Sequence, residues 1–138
     1  MRLLSETPYF TLSVDGSAAI VRVARTSQRI PMEAVSGILS PLSDALDTAT
    51  VVPRDFGLLL DVSAAGANND PDFEKAMNAQ VMPFIAQFRA YVVLVKSAVG
   101  VLHVNRLVRS ARPRDHDHVF RDEQQAIARL TALLDRSP

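Results

Sequence analysis

Hydrophobic and polar positions alternate with two different periods along this chain, and the change of period marks its elements. Residues 9–14 set Phe10, Leu12 and Val14 against Tyr9, Thr11 and Ser13, the period-two pattern of a half-buried strand. Asp15-Gly16-Ser17 is a tight-turn signal, and residues 18–24 alternate again, so the chain opens on a hairpin. Residues 56–62 and 91–95 are unbroken apolar runs, Phe-Gly-Leu-Leu-Leu-Asp-Val and Tyr-Val-Val-Leu-Val. Runs of that length, with β-branched residues, read as strands buried on both faces.

Between and after these runs the period lengthens to that of a helix. Met32, Val35, Ile38, Leu39, Leu42 and Leu46 predict a helix over 31–48, broken or kinked at Pro41. Residues 48–55 form a polar connection holding Pro53. Asp70 and Pro71 predict the cap and first position of a helix over 71–88, with a bend near Gln80 imposed by Pro83. Its apolar stripe is Phe73, Met77, Val81, Phe84, Ile85 and Phe88. A further helix is expected over 98–110, then a loop over 112–117 and a short strand over 118–120. A last helix opens at Asp122-Glu123, with Ala126, Ile127, Leu130, Leu133 and Leu134 facing inward. The order β-β-α-β-α-β-α-β-α predicts one α/β domain, a mixed four- to five-stranded sheet with helices packed mainly on one face.

Composition narrows the function classes. The 138 residues are 48% apolar and 22% charged, a globular balance, and the net charge is zero, so no global pull toward nucleic acid or membrane is expected. There is no cysteine, which excludes a disulfide framework, a thiol nucleophile and a thiolate metal site. No window reaches the roughly 18 apolar residues of a spanning helix, and no signal-peptide core precedes Glu6, so the expectation is a soluble cytoplasmic protein.

Candidate chemistry is sparse. Asp61 and Ser63 pair a carboxylate with a hydroxyl, yet only three histidines exist and no nucleophile-elbow motif is present. We read both as loop-holding residues. Asp115-His116-Asp117-His118 offers alternating metal-ligand types but no third or fourth ligand from elsewhere, and we read it as a solvated loop running into a strand. No catalytic residue, metal or cofactor is assigned. Charge is segregated: no acidic residue lies between Glu74 and Asp115, while Lys75, Arg89, Lys96, Arg106, Arg109, Arg112 and Arg114 are basic. His103, Arg106 and Arg109 are spaced to neighbour one another on a helix, a surface suited to an acidic partner or an anionic head group. Nucleic acid is disfavoured by the lack of interleaved aromatics.

Leu60-Asp61-Val62-Ser63, the run from Asn68 to Glu74, Val93-Leu94-Val95 leading to Ser97-Ala98-Val99-Gly100, and Val119 to Ala126 together resemble the STAS fold of bacterial anti-sigma-factor antagonists. The likeness is greatest to the SpoIIAA-like, STAS/SEC14-type stand-alone domains. That resemblance implies a non-enzymatic regulatory or protein-interaction module. It also implies a phosphorylatable Ser or Thr where the helix after the third strand begins. Here that place reads Asn68-Asn69-Asp70-Pro71, with no hydroxyl, so the usual phosphoswitch is lacking.

The expectation is therefore a docking module whose contact surface is the loop 64–70 with the helices beginning near Pro71 and Ala98. Asn68, Asn69 and Asp70 would supply directional hydrogen bonds, and Arg106 and Arg109 charge complementarity to another protein with an acidic surface. Pairing of two copies through the opening hairpin or first helix is a further expectation. The alternative is a carrier or sensor of a small apolar, lipid-like ligand, with Phe84, Ile85 and Phe88 as cavity wall.

Overall fold

In a computed structural model of the chain, which describes residues 1–66, 70–97 and 118–136, six strands form one sheet in simple sequential order. They are β1 (Arg2–Glu6), β2 (Phe10–Asp15), β3 (Ile20–Arg25), β4 (Gly57–Asp61), β5 (Ala90–Leu94) and β6 (Val119–Phe120). β1, β2 and β3 pair antiparallel, whereas β3 to β6 run parallel. The described helices are α1 (Ser40–Thr48), α2 (Pro71–Ala86) and α3 (Glu123–Arg136). The mixed α/β sheet matches the expectation. The helix expected over 98–110 and the loop over 112–117 lie outside the described residues.

The two faces of the sheet bury different cores. Leu12, Val21, Val23, Leu58, Leu60, Tyr91 and Val93 point to the larger one, where Leu42 and Leu46 of α1 and Phe84 and Ile85 of α2 pack. Ile20, Leu59, Val92 and Leu94 point the other way, against Ala126 and Leu130 of α3. This is the period-two alternation that makes β4 and β5 apolar at nearly every position. Two described helices thus cover one face and α3 the other.

Two expectations need correction. The sheet has six strands among the described residues, because β1 precedes the expected hairpin; Leu3 on this edge strand is 55% exposed, so no apolar alternation marks it. The helix expected over 31–48 is a 3-10 turn (Met32–Ala34) followed, after Gly37 at φ +72°, by the shorter α1. Gly37 takes a left-handed conformation that no α-helix passes through, and Pro41 lies in the first turn of α1, where its missing N–H costs nothing. The helix expected over 71–88 is present as α2, which continues through Pro83 to Ala86. Among the described residues no helix is long and apolar enough to cross a membrane.

Candidate functional site

Because β3 to β6 are parallel, their carboxyl ends share one edge of the sheet, the edge at which open α/β sheets commonly place ligands and partners. The β4–α2 corner rises from it. Leu59 and Asp61 lie on the same face of β4, so the alternation that buries Leu59 against α3 also buries Asp61. A carboxylate in that position needs partners. Oδ2 accepts from a guanidinium nitrogen of Arg22 on β3 at 2.6 Å. Oδ1 accepts from the Ser63 N–H at 2.9 Å and from the Ser63 hydroxyl at 2.5 Å. The other terminal nitrogen of Arg22 donates to Glu123, the first residue of α3. Burial pulls the Arg22 guanidinium down, but Glu123 and Asp61 outweigh it and hold its pKa above the ordinary value.

The Asp61–Ser63 pair therefore holds a turn. The Ala65 N–H closes that turn on the Val62 carbonyl at 3.1 Å, leaving residues 64–66 exposed. Across the corner Asp70 caps α2, its Oδ1 accepting from the Asp72 N–H at 3.0 Å, as the Asp-Pro signal predicts. Asn68 and Asn69 lie outside the described residues. So do Arg106 and Arg109, His103 and His116.

The described members of the basic run do not gather into one patch. Lys75, near the start of α2, and Lys96, just past β5, belong to the carboxyl-end edge. Arg89 stands at the opposite end of β5, its N–H donating to the Phe56 carbonyl at 3.0 Å. Phe84, Ile85 and Phe88 are 5%, 3% and 7% exposed and belong to the larger core, the two phenylalanine rings 5.4 Å apart and tilted by 59°. Phe84 also floors an open cleft of about 260 Å³ between α1 and α2, rimmed by Ser40, Ser43, Asp44 and Gln80. A wider open groove of about 650 Å³ lies beyond β3, lined by Tyr9, Gln28, Arg29, Pro31, Met32 and Glu33.

His118 is part of the interior. It is buried and stacks on Tyr91 with ring centroids 4.5 Å apart and planes within 13°. Its Nδ1 lies 2.7 Å from the Tyr91 carbonyl oxygen, which can only accept, so that nitrogen carries a proton. Among the described residues no three His, Asp or Glu side chains come together as metal ligands.

Sequence reading missed the Arg22–Asp61–Glu123 cluster. The available signal was a cation in the alternation of the second hairpin strand, at the same parity as the buried Ile20, matched by the acid that ends the apolar run of β4. Comparisons with protein-family models, curated proteins and solved structures find no match for this chain.

Proposed function

We propose that the chain is a STAS-like regulatory module without enzymatic activity, which docks to another protein at the edge where β3 to β6 end. The observation that carries this reading is the β4–α2 corner. Its backbone is fixed on one side by Asp61 holding Ser63 and on the other by Asp70 capping α2, with residues 64–66 exposed between them. Flanks fixed in advance lose less conformational freedom on binding, which is how a small surface gains affinity. The sequential sheet, antiparallel strands followed by parallel ones, supports the STAS-like reading, as does a helix leaving this corner under an Asp-Pro cap.

In this reading Asn68, Asn69 and Asp70 contribute directional hydrogen bonds. Arg106 and Arg109 attract an acidic partner surface, raising selectivity and association rate more than affinity. The cytoplasm is the compartment where such a module would act. The packing of Phe84, Ile85 and Phe88 in the core favours docking over carriage of an apolar ligand.

Gly66 makes the reading testable, because a Cβ there would meet nothing within 4 Å and the position tolerates a large side chain. A photo-crosslinking phenylalanine analogue at position 66 is expected to capture a protein partner in the native host. The same analogue at the exposed position 54, at the opposite end of β4, is expected to capture none. Arg106→Glu with Arg109→Glu is expected to abolish capture at 66. Equal capture from both positions, or capture that survives charge reversal, contradicts the proposal.

A further inference from the structure

Ser63, Asp61, Arg22 and Glu123 form a continuous polar chain from the β4–α2 corner to the first residue of α3. Its middle is short of acceptor oxygens. Asp61 has two, and Ser63 occupies one of them through both its N–H and its hydroxyl. Only Oδ2 is left for Arg22, at 2.6 Å, so the second terminal nitrogen of the guanidinium is turned to Glu123. An Arg fork prefers to hold one carboxylate with both nitrogens. Seating Ser63 on Asp61 denies it that arrangement.

The far end of the chain is easily opened. The start of α3 exposes Glu123, Gln124 and Gln125, and burial begins only at Ala126. Among the described residues, the Arg22–Glu123 ion pair ties that turn to the sheet, while Asp122 caps it from within, accepting from the Gln125 N–H at 3.0 Å through its side chain and from the Ala126 N–H at 3.0 Å through its carbonyl. A helix end fixed by polar contacts and little buried area frays at low free-energy cost.

We propose that Arg22 is a latch that couples the β4–α2 corner to the first turn of α3. With Ser63 seated on Asp61, Arg22 holds Glu123 and the turn is closed. When Ser63 leaves, Asp61 takes both guanidinium nitrogens, Glu123 is released and the turn frays. Whatever grips or loosens the corner is thereby read at α3, on the other side of the sheet. Coupling of this kind is reciprocal, so releasing Glu123 must loosen Ser63 to the same degree. The latch is a property of the free chain and does not depend on what docks at the corner.

Amide hydrogen exchange on the full chain tests it. The amides of Gln125 and Ala126 report the helix turn, that of Ser63 reports the corner, and that of Val93, bonded to the His118 carbonyl at 2.6 Å, serves as a reference outside both elements. Measured relative to Val93, Ser63→Ala is expected to speed exchange at Gln125 and Ala126, and Glu123→Gln to speed exchange at Ser63, each about fivefold. In an Arg22→Met background both cross-effects vanish. Arg22→Lys keeps the charge but lacks the planar fork, and it abolishes them as well should Arg22→Met fold poorly. Variants that speed exchange only in their own element overturn the latch, and so do cross-effects that persist when Arg22 is replaced.

Discussion

Gly57 opens β4 because Leu130 of α3 occupies the space above it: a Cβ at position 57 would stand 2.8 Å from Leu130 Cδ1 and 3.0 Å from Leu134 Cδ1. Leu130 is wholly buried against Ile20, Leu59 and Val92, so it has nowhere to retreat. We predict that Gly57→Ala destabilises the fold by about 1–3 kcal/mol through overpacking. Leu130→Ala leaves a cavity and costs about 2–5 kcal/mol. Because the new methyl partly fills that cavity, the double variant is destabilised by less than the sum of the two. Denaturant midpoints of the four proteins, at unchanged slope, check the relation.

The ion pair of Arg22 and Asp61 predicts a different pattern. Removing only the cation, by Arg22→Met, strands a largely buried carboxylate, and the expected loss is about 2–4 kcal/mol. Adding Asp61→Asn removes the stranded charge while its Oδ1 still accepts from Ser63. The double variant is therefore more stable than Arg22→Met alone. A double variant that is worse than either single one would show that Asp61 does more than pair with Arg22 and hold Ser63.

At the β2–β3 turn, the Asp15 carboxylate is held below its ordinary pKa, chiefly by the Ser17 hydroxyl at 2.7 Å and next by the Ala18 N–H at 3.2 Å. A lowered folded-state value means that the turn contributes stability above the unfolded carboxylate pKa and loses it as pH falls through the folded value. Ser17→Ala removes the principal donor, and carbon-detected NMR titration is expected to show Asp15 shifting upward toward the usual carboxylate range.

Phe84 separates the two functional readings. It is packed in the core, so Phe84→Ala is expected to cost about 3–5 kcal/mol and to open apolar room beneath the cleft it now floors. An apolar fluorescent probe should then bind the variant better than the native chain, as engineered apolar cavities do. Strong binding to the native chain that is lost in the variant would mean instead that Phe84 lines a ligand cavity already there.

The parts of this fold that could be read from sequence are those where one residue's environment is set by its immediate neighbours. Gly57–Asp61 and Ala90–Leu94 are apolar almost throughout because each strand has a core on both faces, and Asp70-Pro71 is a cap in sequence and in structure. Elsewhere burial misled. Val35, Ile38, Leu39, Leu42 and Leu46 are all buried at helical spacing, yet the first three precede α1, because a 3-10 turn and a glycine bend can bury the same side chains. β1 left no trace, since neither of its faces is fully covered. The Arg22 cluster was missed for another reason: its partners lie 39 and 101 residues away, so the parity signal in each strand acquires meaning only once strand register brings them together.

The docking proposal itself is tested most directly by gentle native mass spectrometry of the chain purified from its own host, beside the Arg106→Glu, Arg109→Glu variant. The account predicts a complex with another protein that the charge reversal dissolves. A small-molecule mass that leaves only on denaturation, unaffected by the reversal, would contradict it and restore the carrier reading.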